Sequence, residues 1–288
     1  MKPLVPSGPR GRIAAGALAI LAVALVPFLA RAPSNDREWA ADQARLPSII
    51  LAERGVRIAG LRDFRYDANG VRERRYRDET YDLADIRRVW FALAPFANRF
   101  RGLAHTFVSF ELEGGRFVAV SVEARREADE SYSLLGGFLR GFELTYVIGT
   151  EEDLLGLRAL RGDELFLYPS VATPDQARAL FEDMIVRAQE KQARPEFYHT
   201  LFNNCNTNLR AHVNRATAAD LPWGWGIVLP GYSDRLAYDH GLIDTELDLE
   251  AARRRFRVDE RARRALAEGA PDFSRRIRAG ARDGGGGP

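Results

Sequence analysis

Apolar and polar positions alternate with a period of two along several stretches of this chain, most clearly from His105 to Ala124, HTFVSFELEGGRFVAVSVEA. Two alternating runs meet there at Glu113, Gly114 and Gly115, which predicts a β-hairpin. A two-residue loop at Gly114 and Gly115 sets Leu112 against Phe117 and mixes polar with apolar residues on both faces. A three-residue loop with glycine in the left-handed position pairs Leu112 with Arg116. It gathers Val108, Phe110, Leu112, Val118, Val120 and Val122 on one face. Register follows the buried pattern, so the second pairing is predicted. The other face then carries His105, Phe107 and Ser109 opposite Glu123, Ser121 and Ala119, with the Cβ atoms of His105 and Glu123 about 5 Å apart.

The same patterning predicts strands around Val56 to Tyr66, Val89 to Leu93, Phe142 to Ile148 and Glu164 to Tyr168. The period changes to 3.6 after Thr173, where Pro174 at the first helical position and Gln176 in a capping box predict a helix running to about Gln192. A further helix is predicted from Cys205, because Cys205, Leu209, Val213 and Ala216 fall near one face. These elements make an α+β domain over residues 33–245, without internal repeats. Residues 246–280, LEAARRRFRVDERARRALAEG among them, read as a charged helical extension, and residues 281–288 as a disordered Gly-rich tail.

The start of the chain follows neither period. Lys2, Arg10 and Arg12 precede an uninterrupted apolar run from Ile13 to Ala30, marginal in length for a bilayer. A run apolar on all faces behind a basic leader is no ordinary core helix. Residues 1–32 are therefore read as a signal peptide, with a small-x-small pattern at Ala30, Arg31 and Ala32, or as a retained anchor whose N-terminus is cytoplasmic. Both place the body at the inner membrane or in the periplasm.

Composition adds that the chain has a core, being 46% hydrophobic and 28% charged. A formal net charge of only +2 leaves no bulk electrostatic case for nucleic acid. No metal-ligand spacing and no phosphate-binding glycine motif is present, so neither a metal nor another cofactor is expected. The 288 residues include one cysteine, so an internal disulfide is excluded. A lone cysteine usually packs as a small hydrophobe. Here Cys205 stands in FNNCNTN, among Asn203, Asn204, Asn206, Thr207 and Asn208, which are turn formers and helix caps. A thiol in a helix's first turn is favoured as thiolate by the free amides and the dipole.

Four histidines are candidates for a base: His105, His199, His212 and His240. His212 is two helical turns, roughly 10 Å, beyond Cys205 and reads as a surface or packing residue. His240 reads as a helix C-terminal residue, and nothing near His199 orients it. His105 at a strand start, with Glu123 across the hairpin, supplies a triad logic: Cys205 attacks, His105 moves the proton, and Glu123 fixes the tautomer. The alternative is a polar cross-strand pair on a half-exposed sheet. Asn203 and Asn204 beside the thiol, and Arg125 and Arg126 after Glu123, are candidate substrate contacts, the arginines for a phosphate headgroup. PWGWGIVLPGY, with Trp223 and Trp225, is a candidate acyl-chain groove or membrane lip, or else core.

The runs AHTFVSFEL, AVSVEARRE, FELTYVIGTEEDLLGLR, LFLYP, PEFYHTLFNNCNTNLRAHVN and LPGYSDRLAYDHGLID, from about Trp39 to Asp244, resemble the Lnb N-terminal periplasmic domain family. The order of His105 before Cys205, with Cys205 at an Asn-Cys helix start, is similar to permuted papain-like thiol enzymes of the NlpC/P60 and lecithin-retinol acyltransferase type. The resemblance implies a cysteine acyltransferase with Cys205 as nucleophile and His105 as its histidine. The implied partners are a membrane phospholipid and a lipoprotein amine. An NlpC/P60-like amidase acting on cell-wall peptide and a non-catalytic envelope binding module are the alternatives. His199 stands where a non-ionisable residue is expected in relatives.

Overall fold

The computed structural model describes residues 31–67, 70–97 and 100–280, with scattered positions between 13 and 30. Most of the apolar leader and the tail at 281–288 lie outside the described residues. Among the described residues, no helix is long and apolar enough to cross a membrane.

The architecture is α+β, built on a mostly antiparallel sheet. In chain order its strands are β1 (Ser48–Ala52), β2 (Gly55–Arg62), β3 (Arg65–Asp67), β4 (Gly70–Glu73), β5 (Tyr76–Asp82), β6 (Ile86–Pro95), β7 (Ala104–Leu112), β8 (Arg116–Arg125), β9 (Glu143–Gly149) and β10 (Phe166–Pro169). The sheet runs β1-β2-β9-β8-β7-β6-β10, with β5 also paired to β2, while β3 and β4 form a separate ladder. A parallel contact is confined to Arg62 against Gly149.

The β7–β8 hairpin has the predicted register, with Leu112 against Arg116, Phe110 against Val118 and Val108 against Val120. Its turn puts Gly114 and Gly115 at φ 74° and 73°, where only glycine is free of strain. Pairing between the two strands stops at Val108 and Val120. Beyond it, β7 continues on β6 and β8 continues on β9, which leaves the sheet unzipped between His105 and Glu123.

Helices cover both faces. On the Val108 and Phe110 face pack the helix Pro174–Ala193, through Leu180, Phe181 and Met184, and the helix Cys205–Ala216, through Cys205 and Leu209. On the Phe107 and Ala119 face pack the helix Glu151–Leu160 and the helices Asp259–Ala267 and Phe273–Ile277, through Leu154, Leu155, Ala262, Phe273 and Ile277. The half-exposed sheet considered from the pattern is thus corrected: Ser109 and Ser121 on the polar face are 0% exposed, because these helices close over it. The long helix is capped as predicted, by Thr173 and Gln176.

Candidate active site

Cys205 is the first residue of its helix because Asn204 caps it. The Asn204 side chain accepts from the Thr207 amide at 2.9 Å, and the Thr207 hydroxyl accepts from the Asn204 amide at 2.8 Å. The candidate substrate contacts beside the thiol are therefore committed to the turn. Asn204 Nδ2 donates to the Thr200 carbonyl, and Asn203 donates to the Phe197 carbonyl while accepting from Asn208. His199 belongs to the same turn: its Nδ1 accepts from the Leu201 and Phe202 amides, so it shapes the loop before the thiol.

Cys205 is 5% exposed, and burial pushes its thiol up, against hydrogen bonds from Thr106 and the Asn206 amide. That differs from the thiolate favoured by a helix start alone. Desolvation outweighs the dipole at this position, so the resting group is a neutral thiol.

His105 projects from β7 on the Phe107 face, stacked on Phe107 at 5.4 Å. Its Nε2 lies 2.7 Å from Ser121 Oγ, and that hydroxyl is 3.0 Å from Glu123 Oε1. The direct His105 to Glu123 separation is 3.8 Å. Glu123 also accepts from Gln43 Nε2 and from Arg158 Nη2 at 3.3 Å. Burial raises the Glu123 carboxyl, but Arg158, His105 and Arg62 overcome it and hold it at about 2. An ionised carboxylate only accepts, so the one hydroxyl proton of Ser121 goes to Glu123 and Ser121 Oγ accepts from His105 Nε2–H. The neutral imidazole then carries its lone pair on Nδ1. Burial, reinforced by Arg158, lowers His105 to about 3.

Thiol and imidazole both line one cavity of about 630 Å³, together with Ala104, Val122 and Glu123 among others. The Cys205 helix packs on the opposite face of the sheet from His105, and no hydrogen bond joins the two side chains. Further along the wall, Tyr132 and Tyr198 share a hydroxyl hydrogen bond of 3.2 Å near the thiol, and burial raises both phenols, so they remain donors. Arg62, Arg126, Arg158 and Arg161 line it together with Asp42, Glu123 and Asp163, and Leu134, Phe138, Leu201, Leu229 and Pro230 are apolar lining.

The other candidates fall elsewhere. Arg125 is 1% exposed and is not among the lining residues. Its nitrogens donate to Gln43 O, Asn35 Oδ1 and Ala44 O, and its guanidinium lies 4.1 Å from the Trp39 ring centre, so it fastens the N-terminal segment instead of facing the cavity. Trp223 and Trp225 are exposed, at 48% and 78%, rather than core. His212 is buried, with its ring nitrogens held by Tyr146 and Asp183, which settles it as packing rather than surface. His240 caps the helix Ser233–Asp239. No metal-ligand group occurs among the described residues.

Ser121, Thr106, Tyr132, Tyr198, Arg158 and Arg161 were not found from the sequence. Ser121 was within reach, since it sits diagonally from His105 in the predicted register. Thr106, Arg158 and Tyr198 lie within the quoted runs, but nothing there marks out those side chains, and Tyr132 and Arg161 lie outside them.

A family model for the Lnb N-terminal periplasmic domain matches residues 72–231. The chain belongs to that family. The match contains His105, Ser121, Glu123, Arg158, Arg161 and Cys205, and it places this as a periplasmic domain. Neither a curated protein nor a solved structure matches the chain.

The pKa pattern has a stability consequence. The unfolded chain takes up a proton at His105 near 6.5, whereas the folded chain resists it down to about 3. Stability from this group is therefore complete above about 6.5 and is lost as pH falls through that window, at up to about 1.4 kcal/mol per pH unit. Glu123 adds a loss between 4.5 and about 2. Urea midpoints between pH 7.5 and 5 should fall in the wild type and fall less steeply in His105→Gln; parallel profiles would show that the imidazole is not held neutral.

Proposed function

We propose that this domain is a thiol acyltransferase that takes an acyl chain from a phospholipid onto Cys205 and passes it to an amine, such as a lipoprotein N-terminus. The observation that supports it is the amphipathic character of the cavity: the chain's one thiol, a His105-Ser121-Glu123 hydrogen-bond chain and arginines share a space that also has apolar walls. Around it the surface stays apolar. Leu135 and Phe202 are 66% and 68% exposed, and Phe138, His199, Phe202 and Trp223 form a run of ring contacts. Such a surface suits a lipid interface better than a soluble peptide.

In the first half-reaction Sγ attacks the ester carbonyl, the C–O bond breaks, and the lysolipid alcohol leaves with a proton. That proton comes from the thiol by way of His105 Nδ1. Because the resting side chains are not hydrogen-bonded, transfer runs through a water or after the cavity tightens on substrate. The Thr106 and Asn206 groups that reach the sulfur, with the Tyr132 and Tyr198 hydroxyls, are the donors nearest the developing oxyanion. In the second half-reaction the amine attacks the thioester, a C–N bond forms, the C–S bond breaks, and the amine proton returns to the thiolate through His105.

The test is mass spectrometry of the full-length protein after incubation with phospholipid. A hydroxylamine-labile acyl adduct on Cys205 that is absent in His105→Ala is the expected result. No adduct on a thiol that alkylates readily would replace this reading with an amidase acting on cell-wall peptide, which also uses a Cys–His site. A sluggish thiol without adduct would leave a binding module.

A further inference from the structure

Four arginines, Arg62, Arg126, Arg158 and Arg161, line the cavity together with the carboxylates of Asp42, Glu123 and Asp163. Arg62 is tied to Asp153 through two nitrogens at 2.9 and 2.8 Å, and Arg158 to Glu123 at 3.3 Å. Arg126 has Asp42 at 3.4 Å. Arg161, one residue past the end of the helix Glu151–Leu160, differs: among the described residues its side chain has neither an ion pair within 4.0 Å nor a hydrogen bond. It is exposed, yet it lies close enough to Arg158 for the two to repel, and close enough to His105 to add to the field that keeps the imidazole neutral. Asp42, Glu123 and Asp163 offset part of that repulsion, but none lies within ion-pair distance of Arg161, so its N–H fork is free to take an anion.

The site chemistry narrows the anion. Arg158 touches Glu123, which lies 3.8 Å from His105, so an anion on these arginines sits a few bonds from any carbonyl presented to the Cys205 and His105 end. In a glycerophospholipid the phosphodiester and the acyl esters share one glycerol. The acyl chains would then leave along Leu134, Phe138, Leu201, Leu229 and Pro230, lining that would be wasted on the carboxylates of a cell-wall peptide.

We propose that Arg161, backed by Arg158, forms a phosphate subsite that holds the phosphodiester of the acyl donor while its ester faces Cys205. This assignment rests on the acyl-transfer reading for its orientation. It replaces Arg125, which is buried away from the cavity, with a pair 33 and 36 residues further along the chain.

The test uses a non-cleavable probe: a dialkyl-ether phosphatidylglycerol, against the matched dialkylglycerol, binding to full-length Cys205→Ala in neutral detergent micelles. The phosphate-bearing probe should bind at least about tenfold tighter, equivalent to about 1.4 kcal/mol. Adding Arg161→Gln should shrink that preference to within about twofold, and Arg161→Lys should keep part of it, as a point charge without the fork. A preference unchanged by Arg161→Gln overturns the subsite. So does glycerol phosphate competing as well as the lipid probe, which would make this a site for soluble phosphate. The two readings fail separately. Wild-type protein that forms the Cys205 thioester while Arg161→Gln leaves the preference intact sinks only the subsite. Arginine-dependent phosphate preference without any thioester in the wild type sinks only the acyl transfer.

Discussion

Cys205→Ala lowers acyl transfer by at least about 10⁴-fold, and His105→Ala by about 10²- to 10⁴-fold, while both proteins keep the wild-type circular dichroism. The asymmetry follows from the roles. Without the sulfur there is no covalent intermediate at all, whereas without the imidazole the thiol loses only its proton acceptor, and water substitutes poorly. A Cys205→Ala, His105→Ala double variant should be no slower than Cys205→Ala, because the two groups act as one unit. Glu123→Gln should retain partial activity. Glutamine still accepts from Ser121, so the tautomer of His105 survives, but the charge that stabilises a transient imidazolium is gone and Arg158 loses its partner. Ser121→Ala removes the connecting hydroxyl and should resemble Glu123→Gln. Turnover by Cys205→Ala at the wild-type rate would end the nucleophile assignment.

Much of this arrangement was readable before the structure. The hairpin register followed from one physical choice, that Val108, Phe110, Val118 and Val120 must share a buried face, and it put His105 and Glu123 on the same side. Alternation within one hairpin could not show that β7 and β8 part after Val108 and Val120, since that depends on their other partners, Ala94 of β6 and Thr145 of β9. Past that point Ser121 stands between His105 and Glu123. Thr173 and Asn204 were legible as helix starts because capping is local. The burial that makes Cys205 a neutral thiol was not, because desolvation depends on everything packed over it. The same limit applied to Arg125, which looked free beside a strand end and is covered by Trp39, Gln43 and Ala44.

The second large effect concerns stability. Arg278→Met should cost about 3–5 kcal/mol, measured by urea denaturation. That is a large share of the roughly 5–15 kcal/mol that holds a domain together. The side chains of Arg278 and Glu151 are 1% and 0% exposed. Arg278 Nη1 donates to Glu151 Oε2 and to the Ser274 carbonyl, each at 2.7 Å, and the guanidinium lies 4.4 Å and 4.0 Å from the ring centres of Trp90 and Phe117. Removing the arginine leaves a carboxylate between sheet and helix with, among the described residues, only the Ser109 hydroxyl as donor. Glu151→Met should be as damaging, by stranding the guanidinium. The Glu151→Met, Arg278→Met double variant should recover most of the loss, since two apolar side chains need no partners there. A double variant as unstable as either single one would show that shape, not charge pairing, decides this contact. The pair also reaches the site. Glu151 opens the helix that carries Arg158 and leads into Arg161, and Arg278 lies beyond the 72–231 family match. The C-terminal helices therefore clamp the element that supplies the cavity's arginines, and loosening that clamp in Arg278→Met should weaken the phosphate preference of the cavity before the fold itself is lost.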